Sequence, residues 1–401
     1  MYSEIDMPAM SNWYIDDNTG WFVSNSMNIL YKCDMRNKVL SAVSVIPSHK
    51  KGGFQNPYCI KYKDLIYCIP LFASSIWRYN LTCSQWEEID LCKDKGISTL
   101  ACLLGEYDKI YYFFSMSLKK IWGVDLKRGI ITVSYDIDIA GEWKSSSYFV
   151  DGILVEDNVY LVLGGSSIYE FNLKTGKQTI CKLVDIDDVF YKIRFDGEIF
   201  WIIGKKGNVY LWNKECGIET ILSEFPDDFV LYDFTEKSII DDFKDKGKDL
   251  LVYSGLICLN GKVWLIPQSG NKILYCSQGD KKLKTFEIPY EKESAETLDL
   301  NYRQIATKFY LMYVRKERFL GIYSYKNKRI FEIDTQNMTY ENMDTMLDVS
   351  SLMGITIQDF HEDGNRSTYL IWNAMMENIK LLTIAKDTKV IGEKIYSELC
   401  R

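Results

Sequence analysis

Two histidines and eleven cysteines are the residues of this 401-residue chain that most directly suggest metal or nucleophilic chemistry. His49 and His361 each lack a second histidine or a cysteine at the spacing of a transition-metal site, and no two cysteines have Cys-x-x-Cys spacing. The sequence contains neither a nucleophile-elbow serine nor a phosphate-binding glycine loop. It therefore predicts no metal, no cofactor and no recognisable catalytic residue.

Carboxylates leave one enzymatic interpretation open. A glycosidase needs two acidic side chains on either side of a scissile bond, and a folded chain can bring these together from distant strands. No spacing in a sequence can reveal such a pair. A carbohydrate-active enzyme of the glycosidase or lyase type is therefore retained as an alternative.

Composition indicates a protein that does not bind nucleic acid or insert into a membrane. The formal net charge is -7, which disfavours a phosphate polyanion. The first ten residues carry Glu4 and Asp6 without an apolar run, so they are interpreted as neither a signal peptide nor an anchor. Cys33, Cys68 and Cys276 lie in apolar runs, where a reduced thiol behaves as a small buried hydrophobe. The predicted location is the cytoplasm.

A motif recurs along the chain with a period of roughly 40–50 residues, which is typical of propellers and solenoids. In each copy an apolar run ends in Asp, Asn or Ser, with an aliphatic residue four positions earlier and usually an aromatic residue three positions earlier. A short polar side chain there can bond the backbone two residues on and begin a tight turn. The copies end at Asp34, Asn80, Asp125, Asn172, Asn213, Ser277 and Asp334.

Each copy belongs to a larger unit of four apolar runs. A second run lies just upstream, as in Val159-Tyr160-Leu161-Val162, and residues such as Glu156-Asp157-Asn158 mark a hairpin to a run before it. A fourth run follows the polar turn. Four antiparallel strands of this kind have two apolar faces, which seven units arranged in a ring would cover. The sequence predicts an all-β, seven-bladed β-propeller of four-stranded antiparallel blades with a short α-helical C-terminal tail.

Three short motifs within the repeats carry a family resemblance. Tyr79 and Trp86 have the same separation as Ile333 and Tyr340, and the fourth unit contains Gly164-Gly165 after its second run. These features resemble the tyrosine-to-tryptophan spacing and the glycine doublet of kelch-repeat and galactose-oxidase-like β-propellers, in a degenerate form over residues 11–345. The resemblance implies the fold, whereas function depends on the site.

The period of the repeats also sets the predicted boundaries of the propeller, its blades and the tail. The propeller spans 1–345. Two short amphipathic helices are predicted within a tail at 346–401 that packs on the propeller, from residues that recur at helical spacing: Trp372, Met375, Met376, Ile379 and Leu382, and then Ile391, Ile395 and Leu399. Acidic stretches at 226–248 and 291–299 lengthen two connections and are interpreted as solvated loops or as a negative rim. The blades are predicted at 11–47, 56–92, 98–138, 148–184, 189–225, 251–289 and 305–345.

Loops between the second and third strands of each blade are the predicted ligand-binding site. In a propeller these loops gather at one axial face, where they are exposed and free to vary. Their hydroxyl, amide and ammonium groups suit hydrogen bonding to a glycan or a peptide, although turns are polar for structural reasons as well. The candidate residues are Asn28, Ser74, Lys119, Ser166, Lys205, Lys206, Gln268, Asn271, Tyr325 and Lys326.

The function predicted from these features is non-catalytic recognition of a protein or saccharide partner at the propeller mouth. Two alternatives remain beside it. One is the carbohydrate-active enzyme with carboxylates at the propeller axis, and the other is a structural subunit that holds a partner enzyme.

Overall fold

The chain is an all-β seven-bladed β-propeller with almost no helix. The computed structural model describes residues 2–4, 12–24, 29–47, 58–69, 75–90, 101–115, 118–139, 150–183, 186–229, 252–267, 270–288, 309–324, 329–348, 350–352 and 355. Six sheets have four antiparallel strands, and the first sheet has six strands. This confirms the fold class that the repeats predicted.

Apart from a short strand described below, each sheet consists of strands that are consecutive in the sequence, and the sheets are numbered here in that order. The first three sheets consist of β1 (Tyr2–Glu4), β2 (Tyr14–Asp16), β3 (Thr19–Val23), β4 (Ile29–Asp34) and β5 (Val39–Val45); β6 (Tyr58–Tyr62), β7 (Leu65–Ile69), β8 (Ser75–Asn80) and β9 (Gln85–Asp90); and β10 (Ala101–Tyr107), β11 (Ile110–Ser115), β12 (Lys120–Asp125) and β13 (Ile130–Asp136). The fourth and fifth sheets consist of β14 (Val150–Val155), β15 (Asn158–Leu163), β16 (Ser167–Asn172) and β17 (Gln178–Lys182); and β18 (Phe190–Phe195), β19 (Phe200–Gly204), β20 (Val209–Asn213) and β21 (Gly217–Leu222).

The last two sheets repeat the same order. They consist of β22 (Tyr253–Leu259), β23 (Lys262–Pro267), β24 (Ile273–Ser277) and β25 (Lys284–Phe286); and β26 (Phe309–Arg315), β27 (Phe319–Ser324), β28 (Arg329–Asp334) and β29 (Thr339–Met343). The recurring aliphatic-aromatic motif is β4 in the first sheet and the third strand of each of the other six sheets.

The polar residue that ends each motif initiates a turn, as its type predicts. Oδ1 of Asp34 accepts hydrogen bonds from the backbone N–H groups of Arg36 and Asn37 at 2.9 and 3.1 Å. The same pair of bonds is made by Asn80, Asn172, Asn213 and Asp334. At Ser277 the turn is closed through the backbone instead, since the N–H of Asp280 donates to the Ser277 carbonyl at 2.9 Å.

The fourth residue after the polar residue has a left-handed backbone in six of these turns. A side chain at such a φ brings Cβ close to the following carbonyl, so glycine is favoured. Glycine occupies the position in three copies, and Lys, Ser and Met occupy it in the others. The residues and φ values are Lys38 (56°), Ser84 (56°), Gly129 (66°), Gly176 (68°), Gly217 (81°) and Met338 (55°).

By compactness the chain divides into two units, of which the first holds the first two sheets and the second holds the third to seventh. In the second unit one apolar core lies between each pair of successive sheets. The core between the fourth and fifth sheets, for example, joins Val162 and Ile168 to Phe200 and Trp212. The two faces of a sheet are therefore covered by its neighbours, as continuous apolar strands require.

The first unit contains a strand pairing that the repeats did not predict. β30 (Met346–Asp348) lies beside β5 in parallel, and β1 pairs antiparallel with β30. These three residues begin the segment that was predicted as a helical tail. Residues 350–352 and 355 are helical, and the predicted tail from 356 onward, including His361, lies outside the described residues.

The first unit is also joined by polar contacts between its two sheets. Lys61 of β6 pairs with Asp16 of β2, and the indole N–H of Trp86 donates to the hydroxyl of Ser44 at 2.9 Å. The rings of Tyr79 and Trp86 lie 4.9 Å apart. The tyrosine and tryptophan that carry the kelch resemblance are therefore in contact.

The described cysteines are free thiols. Cys33, Cys68 and Cys276 are buried, as their positions in apolar strands predicted. Burial, with a smaller contribution from Asp34, raises the pKa of Cys33 to about 12. These thiols therefore pack as apolar side chains.

Candidate functional site

Four described loops join second strands to third strands in the second unit: 118–119, 164–166, 205–208 and 270–272, here called the loop surface. Five candidate residues lie on it: Lys119, Ser166, Lys205, Lys206 and Asn271. The other five candidates, Asn28, Ser74, Gln268, Tyr325 and Lys326, lie outside the described residues.

The loop of the third sheet presents an exposed lysine on a fixed backbone. Lys119 has a left-handed φ of 52°, and its carbonyl accepts the N–H of Ile137 at 2.8 Å. The preceding N–H, of Leu118, donates to the buried hydroxyl of Ser115 at 3.4 Å. The Lys119 side chain is exposed. The hydrogen bonds of the turn therefore fix the Lys119 backbone, while its ammonium group reaches solvent.

The loop of the fourth sheet bonds to the segment that leads into the fifth sheet. The Gly165 carbonyl accepts the N–H of Phe190 at 3.0 Å, and the Ser166 carbonyl accepts the N–H of Leu183 at 3.3 Å. Gly164 has a φ of 80°, and both glycines are exposed. The glycine doublet therefore exposes backbone next to Ser166.

Asp188 is the polar residue that organises the loop of the fifth sheet. Its carboxylate is buried, and Oδ1 accepts the backbone N–H groups of Val189 at 2.8 Å and Lys206 at 3.1 Å. Oδ2 accepts the hydroxyl of Tyr210 at 2.8 Å. Burial and then Asp188 raise the pKa of Tyr210 to about 12, against the opposing effect of its bond to Asn208. The side-chain amide of Asn208 also donates to Oδ2 at 3.4 Å, so four donors converge on one carboxylate and fix the loop.

A glycine beneath the carboxylate makes this arrangement possible. Any Cβ at Gly204 would overlap the carboxylate of Asp188. The loop then closes tightly, because the N–H of Gly207 donates to the Gly204 carbonyl at 3.0 Å. The N–H of Lys205 donates to the Val189 carbonyl at 2.8 Å, which ties this loop to the segment before β18.

Lys206 extends from this frame into an exposed ion pair. Its Nζ lies 2.8 Å from Oδ2 of Asp187, and both side chains are largely exposed. The ammonium group lowers the pKa of the Asp187 carboxyl. Because exposed pairs contribute little to stability, a ligand can exchange with either partner at low cost.

The loop of the sixth sheet is held by the beginning of the acidic stretch. The side-chain amide of Asn271 donates to the Asp228 carbonyl at 3.1 Å. The Asp228 carboxylate binds Lys272 at 2.6 Å and Thr285 at 2.9 Å, and Lys272 lowers its pKa. Asp228 therefore stabilises the loop. The rest of the predicted rim, at 230–248 and 291–299, lies outside the described residues.

Asp151 is a buried carboxylate on the first strand of the fourth sheet and bears on the glycosidase alternative. Asp151 on β14 pairs with Arg194 on β18 at 2.6 Å and accepts the N–H of Ile193 at 3.2 Å. Cys102 lies 3.7 Å away, and burial followed by the charge of Asp151 raises the pKa of its thiol to about 12. The arrangement ties the fourth sheet to the fifth.

The sequence predicted the loops and the acidic stretch that contains Asp228, but it did not single out Asp187 and Asp188. Both lie in a connection between sheets, where no periodic pattern distinguishes one acidic residue from another. Among the described ranges, no group of three His, Cys, Asp or Glu side chains is arranged to hold a metal ion. Within the same ranges no helix has the length and apolar character needed to span a bilayer.

Comparison with solved structures finds several matches of low sequence identity. Selenomethionine-substituted virginiamycin B lyase from Staphylococcus aureus matches with a TM-score of 0.53 and 12% identity, over 80% of this chain and 92% of that chain. The computationally designed Ika8 protein matches with a TM-score of 0.47 and 9% identity, over 86% and 97%. U3-55K matches with a TM-score of 0.46 and 11% identity, over 69% and 80%. No protein-family model and no curated protein matches this chain.

Proposed function

We propose that this protein is a non-catalytic recognition protein, built from degenerate kelch-like repeats, that binds a protein or saccharide partner through the loop surface. A propeller is a stable frame that suits a binding role, because its loops can vary without disturbing the cores between sheets. The free thiols of the described cysteines support a reducing compartment such as the cytoplasm.

The observation that carries this proposal is a fixed loop backbone beside exposed polar groups. Asp188 holds the N–H groups of Val189 and Lys206, while the side chains of Lys119 and Lys206 reach solvent. A loop that is ordered before binding loses little conformational entropy when a ligand arrives. Ammonium, hydroxyl and backbone groups then supply directional hydrogen bonds to a peptide or sugar.

Catalysis has weaker support from the described residues. Asp151 shares its carboxylate between Arg194 and a backbone N–H, so a role as acid or nucleophile would first require that charged pair to break. The similarity to a lyase is a similarity of fold, and one fold supports many chemistries. The structural-subunit alternative relied on the acidic stretches or on the tail helices. Asp228 of the first acidic stretch binds Lys272 within the same chain, and the predicted tail from 356 onward lies outside the described residues.

The first prediction concerns the loop surface. Glycan and protein arrays first identify a ligand of the wild-type chain. The triple variant Lys119→Ala, Lys205→Ala, Lys206→Ala should bind that ligand at least tenfold more weakly. Three hydrogen-bond donors are removed, and each is worth about 0.5–1.5 kcal/mol. Affinity is then measured by biolayer interferometry.

A matched control separates a local effect from a change in net charge. Lys127, Lys281 and Lys282 are exposed and lie in turns between third and fourth strands, so their triple alanine variant has the same charge and should bind as wild type. Equal loss in both triple variants, or turnover of a glycoside by the wild-type chain, would contradict the proposal.

A further inference from the structure

Two cysteines of the second sheet lie opposite each other on adjacent strands. Cys59 on β6 is the register partner of Cys68 on β7, and both are free thiols. Side chains at such paired positions share one face of the sheet, with Cβ atoms about 4.5–5.5 Å apart. In the strand pairings that the structure describes, no other two cysteines are directly opposite. We call Cys59 and Cys68 the thiol pair.

The turn of this hairpin places the thiol pair at a position where the strands are close. Only two residues separate β6 from β7, so Tyr62 and Leu65, which flank the turn, form a hydrogen-bonded pair. Hydrogen-bonded and non-hydrogen-bonded pairs alternate along an antiparallel ladder. Cys59 and Cys68 are three pairs further on and therefore form a non-hydrogen-bonded pair. The Cα atoms of such a pair lie about 4.5 Å apart, which is within the range of about 4.4–6.8 Å that a disulfide requires.

The two thiols are buried and in contact. Cys68 has no exposed surface, and Cys59 is 6% exposed. The pKa of the Cys68 thiol is well above its usual range, first because of burial and then because of a hydrogen bond with the thiol of Cys59. A buried thiolate is costly because it is an unpaired charge, whereas a disulfide is neutral. Oxidation of the thiol pair would therefore leave no charge in the interior.

β6 is also the strand through which the second sheet contacts the first. Lys61 of β6 pairs with Asp16 of β2, and Tyr58 of β6 forms a β-bridge with Asn12. A covalent bond from β6 to β7 would fix this contact strand to the rest of its sheet. The thiol pair therefore lies where oxidation can change the stability of the contact between the two sheets.

We propose that Cys59 and Cys68 are a redox-modification site that forms a cross-strand disulfide when a low-molecular-weight organic disulfide, such as glutathione disulfide, accumulates. The Cys59 thiol, the more exposed of the two, loses its proton, and its sulfur attacks one sulfur of glutathione disulfide. This step releases one glutathione thiolate and leaves a mixed disulfide on Cys59. The Cys68 thiol then loses its proton, and its sulfur attacks the Cys59 sulfur and releases the second glutathione thiolate.

The exchange balances without a further reactant. The thiol pair gives up two electrons and two protons, the S–S bond of glutathione disulfide is broken, and the two released thiolates take up the protons. Because both sulfurs are buried, the first step requires a local opening of the hairpin and is slow. Glutathione reverses both steps and restores the thiols.

The test maps the cysteines of the full chain after incubation with glutathione disulfide without denaturant. Remaining thiols are alkylated in acid, and the chain is digested with trypsin. Cleavage after Lys61 and Lys63 places the two cysteines in separate peptides, 52–61 and 64–78, each with one cysteine. We expect these two peptides to be joined, with a mass about 2 Da below the sum of the reduced peptides. Dithiothreitol should separate them.

Variants of the chain assign the bond and its effect. Cys59→Ala and Cys68→Ala should each abolish the joined peptide. Cys276 is a buried thiol of the sixth sheet, so Cys276→Ala is the matched control and should leave the yield of the joined peptide unchanged. Amides of β6 and β7 should exchange with deuterium more slowly in oxidised than in reduced wild type, and the oxidant should have no such effect on Cys59→Ala.

Four results would overturn the proposal. They are the absence of the joined peptide without denaturant, its formation only after urea has unfolded the chain, a glutathione adduct that persists on Cys59, and a disulfide from either cysteine to a third one. Each result is read from the cysteines alone. Failure here therefore leaves the proposed function of the loop surface to its own test.

Discussion

At the scale of single residues, aspartates organise both ends of the sheets. Asp188 gathers four donors at the loop surface, and Asp34 or Asp334 begins a turn at the opposite ends of the strands. In each case one side chain accepts hydrogen bonds from backbone N–H groups that have no partner within the sheet. Loss of such an acceptor leaves several donors without a partner at once.

Asp334 should make part of the stability depend on pH. The Arg318 guanidinium, 2.5 Å away, and the N–H groups of Asn337 and Gln336 hold the pKa of this carboxyl well below its usual range, against a smaller effect of burial. A folded-state pKa below the unfolded value stabilises the folded state above about pH 4, and that stabilisation is lost as pH falls toward the folded pKa.

We predict that the stability of Asp334→Asn falls less steeply with decreasing pH than the stability of wild type. Urea denaturation midpoints at pH 7, 4 and 3 should fall less steeply for this variant than for wild type, because asparagine keeps the turn acceptor and has no proton to take up. Arg318→Gln removes the main cause of the shift and should have the same effect. If the urea midpoints of both variants fall with pH as steeply as those of wild type, Asp334 does not contribute to the pH dependence of stability.

At the scale of strands and turns, the sequence predicted those features whose structure depends on neighbouring residues. The third strands and the turn-forming residues after them could be predicted because an apolar run and its polar terminator are adjacent in sequence. The position of Asp188 beneath the loop of β19 and β20 could not, since its partners Lys206 and Tyr210 come from a later strand pair.

β30 was missed for a different reason. Its three residues are too few to show alternation, and its partner β5 lies near the other end of the sequence. The five candidate residues on the loop surface could be placed on loops by counting strands, whereas their bonding partners depend on tertiary packing.

The turns allow a test of backbone strain alone. A Cβ added at Gly176 would have no atom within 4 Å, yet its φ is 68°. Gly176→Ala should therefore destabilise the chain by about 1–2 kcal/mol through the left-handed backbone and through nothing else. The measurement is the shift of the urea midpoint.

The reciprocal change at an equivalent turn serves as its control. Ser84 is exposed with a φ of 56°. Ser84→Gly should be neutral or stabilise by up to about 1 kcal/mol, because relief of strain is offset by greater freedom of the unfolded chain. A stable Gly176→Ala variant would mean that the turn can relax to another conformation.

At the scale of the whole molecule, each sheet of the second unit depends on its neighbours through a shared core. The first sheet has an additional support, because β30 covers the edge of β5 and the Ser351 hydroxyl accepts the N–H of Ala42 at 2.9 Å. Leu347 of β30 is buried. The end of the propeller sequence thus contributes to the stability of its beginning.

Leu347→Ala should cost about 2–5 kcal/mol, since it removes a buried leucine side chain and leaves a cavity. Amides of β5 should exchange with deuterium faster, while those of β16, in the second unit, should keep their wild-type rates. Met346 is 41% exposed on the same strand, so Met346→Ala is the matched control and should cost less than about 0.5 kcal/mol. Uniform acceleration across both strands would argue for global unfolding and against a local role for β30.

The late position of β30 has a consequence for biosynthesis. On a translating ribosome the first sheet emerges early, but the outer edge of β5 stays open until residues 346–348 have been made, roughly 15–60 s later at usual elongation rates. An open strand edge pairs readily with another nascent chain. Polysomes that carry several copies are therefore where this protein is most exposed to aggregation, and a chaperone that masks β5 during elongation would raise the yield of folded chain.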